Sequence, residues 1–316
     1  MKKLCEVYCV GNAVADVLAR PVDQLAASGT SQRLDDLALG PGGNAVNTAI
    51  ALARMGISVR ISAAIGADQF GQFLSDRVRA EGIDPAGLVT IPGAKTSTSI
   101  VLVETSGERR FLHLRGVNAH FSGHHVDWSQ VEGARIFHYA SAFALPAFDE
   151  GHLEPALKRA RKMGCLTSIN ICWDVRARWL KLLQPALAYT DFIFPNCEEG
   201  RQLTGQREPA AIAAHLRALG VKTVIVKLGA AGCYVESAAG AFTAPGFAVQ
   251  PLDTTGAGDC FAAGFLAAIC RGQSLAQAAV YANASGSLAT LRLGGADSAP
   301  TSAQLEDFLQ KNSLTS

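Results

Sequence analysis

Short β-rich runs alternate with helical patterns along most of this chain, and that order restricts the fold more than any other feature. Residues 6–10, 58–65, 135–140, 165–170, 191–194 and 223–228 read as strands. Residues 44–55 form an apolar helical pattern stopped by Gly56 with Arg54 in its last turn, and Asp68 caps a second pattern running to about Ala80. Further helical patterns lie near 151–163, 175–186 and 208–219. This βαβα order predicts an α/β fold: a Rossmann-like, mostly parallel central sheet with helices on both faces. With 316 residues and 49% hydrophobic composition, the chain can form one such unit over 1–316.

Three runs break the alternation. Residues 34–39, 99–104 and 110–114 look like strands without intervening helices, and 105–109 reads as a hairpin between the last two. A small separate sheet follows, drawn from about 12–20, 33–40 and 98–116. Ligands of open α/β sheets bind outside the carboxyl ends of the strands, so a flap there acts as a lid. Residues 117–134, with His120, His124 and His125, read as a polar linker back to the core, and the chain from about Lys311 as frayed.

Charge narrows the partners. With 28 basic and 27 acidic residues the net charge is +1, which gives no reason to expect a nucleic-acid partner. Lys2-Lys3 precede an apolar stretch, but Glu6 and Tyr8 interrupt it and no cleavage site closes it. No apolar run reaches membrane-spanning length, so a cytoplasmic protein is expected. The eight cysteines include no C-x-x-C pair and read as scattered thiols rather than disulfides or a zinc site.

The chemistry concentrates in Asp253-Thr254-Thr255-Gly256-Ala257-Gly258-Asp259, followed by an apolar helical run to Ile269. Gly256 and Gly258 allow successive backbone N–H groups to converge on one anion, and the helix N-terminus adds positive dipole there. Asp259 is then a candidate general base beside an anion hole made by the amides of Ala257, Gly258 and Asp259, a layout suited to moving a phosphoryl group onto a hydroxyl. An ordinary glycine-rich turn accounts for the glycines but not for the threonines and aspartates packed around them.

A second constellation is Gly40-Pro41-Gly42-Gly43-Asn44-Ala45-Val46-Asn47. The glycines admit a ligand close to the backbone, and Asn47 is a polar residue on the first turn of an apolar helix. Asn44 reads equally as a helix N-cap. Gly40-x-Gly42-x-x-Ala45 formally matches a dinucleotide fingerprint, yet Pro41 sits in the turn and no clear acidic partner follows; a Walker A loop is absent. Gly11-Asn12-x-x-x-Asp16 places a carboxylate after the first strand, where it suits a polyol or is simply a loop residue. In Pro195-Asn196-Cys197-Glu198-Glu199 the acids favour a helix N-terminus and also suit Mg²⁺ held through water. Lys227-Leu228-Gly229-Ala230-Ala231-Gly232 is either a hairpin turn or a loop near a nucleotide. Trp173 and Trp179 read as packing residues, while the role of Arg176 and Arg178 stays open.

Taken together and in this order, these motifs resemble the ribokinase-like (PfkB) family of ATP-dependent sugar kinases, from about residue 5 to about 308. The resemblance implies a Rossmann-like ribokinase fold with a β-sheet lid that often mediates dimerisation, hence a homodimer. It implies Asp259 as catalytic base and residues 256–259 as anion hole. Asn12, Asp16, Gly42, Gly43 and Asn47 are expected on the sugar. Asn196, Glu199, Lys227, Gly229, Gly232, Thr255, Gly256, Gly258 and Asn283 are expected at ATP, with Asn196 and Glu199 near Mg²⁺. Several members bind a monovalent cation such as K⁺, which here implicates Asp253, Thr255 and Ser298. Asn170-x-Cys172-Trp173-Asp174-x-Arg176 resembles a segment of members acting on ketoses or sugar acids but departs from it. Arg115, placed on the last lid strand, could reach an anionic sugar or face solvent. The expected activity is phosphoryl transfer from ATP to a monosaccharide: a ketose, pentose, hexose or sugar acid. The alternatives are a nucleoside kinase on the same fold, a non-catalytic sugar sensor, and a nicotinamide dehydrogenase.

Overall fold

The computed structural model describes residues 5–106 and 108–313; Lys2 and Lys3 and the last three residues of the tail expectation lie outside them. In chain order the strands are β1 (Val7–Val10), β2 (Val14–Arg20), β3 (Asp36–Gly42), β4 (Val59–Ile65), β5 (Leu88–Thr90), β6 (Thr98–Val103), β7 (Arg109–Leu114), β8 (Ile136–Ala142), β9 (Leu166–Ile171), β10 (Phe192–Phe194), β11 (Thr223–Lys227), β12 (Cys233–Ser237) and β13 (Gly240–Ala244).

The main sheet has the order β13-β12-β11-β10-β9-β8-β1-β4-β5. It is parallel from β11 to β5, and antiparallel where β12 and β13 are added. That antiparallel edge is absent from the sequence reading, which treats 227–232 only as a turn or loop. Side chains alternate across the sheet with the strand period of two. Val7 and Cys9 join one core, Tyr8 and Val10 the other; Phe192 and Phe194 join the first, Ile193 the second. Both faces are covered, which is why these strands are apolar throughout.

The helix Ala257–Cys270 is buried nearly all round, from Asp259 to Cys270. It packs between the helices Asn44–Arg54 and Leu275–Ala289. Gly264 makes the second contact possible, since a Cβ there would lie 2.8 Å from Ser285 Cβ and 2.9 Å from the Tyr281 carbonyl oxygen. An apolar helix of this kind is held by burial rather than by helix propensity.

The second sheet has the order β3-β2-β6-β7, with β2 and β6 parallel and the outer pairs antiparallel. β2, β6 and β7 fall within the expected stretches, β3 runs two residues past its own to Gly42, and Arg115 follows β7 and starts a short 3₁₀ turn. The expected linker at 117–134 carries 3₁₀ turns and a short helix, and Val117 and Phe121 are fully buried in it. Residues expected to fray from Lys311 continue the helix Ser302–Ser313. No helix among the described residues is long and apolar enough to cross a membrane.

Candidate active site

Strand order reverses beside β1: later strands run out from β8 on one side, while β4 and β5 lie on the other. Such a switch point opens a crevice at the carboxyl ends of the strands. Asn12 bridges it. Its backbone N–H donates to Ser141 Oγ at 2.9 Å, and its Oδ1 accepts from Ser141 Oγ at 2.8 Å and from the Asn44 amide at 2.7 Å. Asn12 therefore caps the helix Asn44–Arg54 from a distant loop, and its carbonyl oxygen is spent on the protein rather than facing a sugar. Asn12→Ala should lower stability by about 1 kcal/mol in a denaturant titration.

Asn44 itself is the first residue of that helix, not its side-chain cap; the N-cap is Gly43, at φ 87°. A Cβ on Gly43 would also lie 2.6 Å from the Asn12 carbonyl oxygen, so glycine is required on both counts. Freed from capping, the Asn44 side chain donates to Asp259 Oδ1 at 2.9 Å. Asn47, one turn on, donates to Asp259 Oδ2 at 2.9 Å, and its own Oδ1 is buried without a partner. Gly42 is pressed against Asp16: a Cβ there would sit 1.9 Å from the Asp16 carboxylate. Burial pushes the Asp16 carboxyl up to about 7 against the opposing Ser99 hydroxyl.

Asp259 lies in the first turn of the helix Ala257–Cys270. A third amide, Asn170 Nδ2, donates to its Oδ1 at 2.9 Å, and Asn170 Oδ1 in turn accepts from Lys227 Nζ at 3.1 Å. Burial raises the Asp259 carboxyl to about 6, with Asn47, Asn44, Lys227 and Asn170 opposing. A carboxylate so held is ionised at neutral pH yet basic enough to take a proton. The sequence shows Asn170 as a polar residue near the end of an apolar strand and in a segment resembling part of the family, but its link between Asp259 and Lys227 is not readable there.

The turn before this helix is left-handed at Gly256, φ 75°. The Ala257 amide donates to the Thr254 carbonyl at 3.2 Å, which takes it out of the expected anion hole. The Gly258 and Asp259 amides lie in the first helical turn, where no intrahelical acceptor exists. Lys227 Nζ would be 3.4 Å from a Cβ on Gly258, so a fixed cation stands beside those amides.

A cavity of about 810 Å³ opens on this turn and is walled by Asn196, Glu199, Lys227, Gly229, Gly232 and Asn283. Asn196 and Glu199 form a reciprocal capping box for the helix Cys197–Thr204: Asn196 Oδ1 accepts the Glu199 amide at 2.8 Å, and Glu199 Oε2 accepts the Asn196 amide at 2.7 Å. Burial raises the Glu199 carboxyl, and Lys227 opposes. Asn283 donates to the Ala244 and Pro245 carbonyls and so fixes the far wall. Among the described residues no group of three or more His, Cys, Asp or Glu converges on one point. The oxygen donors Glu199 and Asn196 in the cavity wall suit Mg²⁺ held mainly by nucleotide phosphates and water.

A smaller cavity of about 150 Å³ lies under the lid, where Asp16, Leu18, Val101 and Phe111 face Asp253 and Thr255. The lid arginine that enters it is Arg109, not Arg115. Arg109 Nη1 donates to both Asp253 Oδ1 and Thr255 Oγ1. The other Asp253 oxygen accepts the Gly294 amide at 2.7 Å, and Ser298 Oγ donates to the Gly295 carbonyl at 2.8 Å. With a guanidinium on Asp253, these groups do not fit a monovalent cation at Asp253, Thr255 and Ser298. Trp173 stacks edge-on against the buried Trp179 at 4.9 Å between ring centroids. Arg176 and Arg178 both pair with Glu150, so the arginines left open by the sequence brace that loop.

A buried carboxylate at a helix N-terminus beside a cavity of this size suits a phosphotransferase. The sequence profile of the pfkB family carbohydrate kinases matches residues 5–302. Ribokinase from Haemophilus influenzae is 29% identical over 274 residues, 85% of this chain and 87% of the relative. Fructokinase-1 from Oryza sativa is 30% identical over 288 residues, 85% and 88% of the two chains. A protein from Escherichia coli described as a candidate ribokinase II, solved with ATP and Mg²⁺, superposes with a TM-score of 0.85 at 25% identity, covering 98% of this chain and all of the other. The chain belongs to the pfkB family of carbohydrate kinases, and its fold is the ribokinase fold.

Proposed function

We propose that this carbohydrate kinase transfers the γ-phosphoryl group of ATP to a hydroxyl of a monosaccharide, with Asp259 as general base. The observation that carries the reading is the triple amide clamp on Asp259, which fixes the carboxylate between the large cavity and the Gly42–Gly43 turn. The acceptor hydroxyl gives its proton to Asp259 while its oxygen bonds to the γ-phosphorus, and the bond to the β-phosphate oxygen breaks. Negative charge gathering on the transferred group is met by the Gly258 and Asp259 amides and by Lys227. Mg²⁺, when bound with the nucleotide, neutralises phosphate charge. In this reading Asp16 accepts sugar hydroxyls beside Asn47, whose Oδ1 is buried without a partner, and the glycines at 42–43 let the ring approach the backbone.

The test is ADP release across ketoses, pentoses, hexoses, sugar acids and nucleosides, with and without Mg²⁺. A single monosaccharide class should drive release, and only with Mg²⁺ present. Preferential turnover of nucleosides, or sugar binding without turnover, would replace this reading. The pH profile is a second check. Because Asp259 works as the carboxylate, kcat/KM should be flat above about pH 7 and fall about tenfold per unit below about pH 6. Lys227 favours the charged form of Asp259, so Lys227→Met should move that limb to higher pH as well as lower the plateau.

The proposal extends to assembly. Leu37 on β3, Ile100 on β6 and Leu112 and Leu114 on β7 are exposed apolar residues on one face of the lid. This surface suits a second copy of the chain, and light scattering should report a dimer that Leu112→Lys weakens. A cytoplasmic location is proposed with the reaction, since it consumes ATP.

A further inference from the structure

We infer that Arg109 is a positioning residue whose guanidinium, carried on the lid, takes the place of a monovalent cation beneath the anion-hole turn. For the kinetic part, this inference rests on the kinase reading above. Asp253 is fully buried and would be an unpaired charge without a cation; the Arg109 side chain beside it is only 14% exposed. The pair joins residues 144 positions apart, from a lid strand to the segment that leads into Gly256. Burial works to raise the Asp253 carboxyl, but Arg109 and the Thr255 and Gly294 amides hold it below the usual carboxylate range.

The connection onward is short. Asp253 Oδ1 accepts the Thr255 amide at 2.7 Å, and Arg109 also binds the Thr255 hydroxyl, so one guanidinium fixes both residues just before the turn. Asp253 Oδ2 holds the Gly294 amide, and Gly295 then packs under Gly256, where a Cβ would lie 2.9 Å from Gly295 Cα. Gly295 also abuts Asn47, which clamps the base. Arg109 thus supports the Gly256 turn from below and through its partner loop. A K⁺ at the same carboxylate would stand against a fixed like charge in a site of low polarity, which is unfavourable.

Wild type, Arg109→Lys and Arg109→Gln would be compared in Na⁺, K⁺ and tetramethylammonium chlorides at one ionic strength, by ADP release and by thermal melting. Wild type is expected to show the same kcat within about twofold, and the same Tm, in all three salts. Arg109→Gln, which keeps polarity but loses the charge, should lose about tenfold or more in kcat with little change in sugar KM. It should also regain activity and Tm in K⁺ but not in tetramethylammonium. Arg109→Lys should retain most of the activity and melt above Arg109→Gln. Stimulation or thermal stabilisation of wild type by K⁺ would overturn the inference. So would an Arg109→Gln enzyme with normal kcat, or one impaired only in sugar KM, which would make Arg109 a substrate ligand. Absence of turnover by wild type on every sugar would sink the kinase reading alone; the salt dependence of the melts would still decide the role of Arg109.

Discussion

Asp259→Asn should lower kcat by about three orders of magnitude while ATP affinity stays within a few-fold of wild type. General-base catalysis supplies about 10²–10⁴ in rate, and an amide cannot take the hydroxyl proton. The substitution is nearly isosteric, so the cavity wall keeps its shape. It also disturbs the clamp, because Asp259 accepts three amide N–H bonds and an asparagine must turn its own NH₂ toward at least one donor. Single-turnover phosphoryl transfer and calorimetric ATP titration separate the two effects. Turnover near wild type would remove Asp259 from the role of base.

Gly256→Ala should be nearly as damaging, at about 10²-fold in kcat, though residue 256 accepts no proton. Its φ of 75° lies in the left-handed region, and the added methyl would meet Gly295 Cα at 2.9 Å and its carbonyl oxygen at 3.0 Å. The obstructing atoms are all Gly295 backbone, so relief requires rotating the turn that aims the Gly258 and Asp259 amides. Losing one oxyanion donor costs about 10²–10³ in kcat. Gly205→Ala is the control: its φ is 73°, but nothing lies within 4 Å of a Cβ there. It should cost only the conformational term, about 1–2 kcal/mol of stability, and leave kcat unchanged. Equal losses from both substitutions would argue against a shaped anion hole.

These residues also show what a sequence can and cannot convey. The parallel strands are legible because burial on both faces demands unbroken apolar runs, and their helices because a covering helix carries a 3.6-residue stripe. The β12–β13 edge escapes notice because a two-strand addition looks locally like any turn-linked stretch. The 253–259 motif is legible because its glycines, threonines and aspartates lie within one turn and act together. Asn44 is misleading: a polar residue opening a helix suggests a cap, yet the cap comes from Asn12, 32 positions away. Arg109 is the extreme case. A hairpin arginine looks like solvated charge, and only the folded lid brings it to Asp253. Arg115, six positions later at the strand's end, has the same local character and leads into a 3₁₀ turn instead.

The burial of the helix Ala257–Cys270 also bears on how the chain comes off the ribosome. That helix fills the groove between two others and brings the base to amides made more than 200 residues earlier. Until the last quarter of the chain is synthesised, the apolar face of the helix Asn44–Arg54 has no permanent cover. A nascent chain that has completed β1 through β11 therefore presents a sticky, catalytically empty sheet, open to aggregation and to chaperones. Truncations ending before residue 250 should be insoluble rather than merely inactive, because the segment that carries the chemistry is also the one that closes the core.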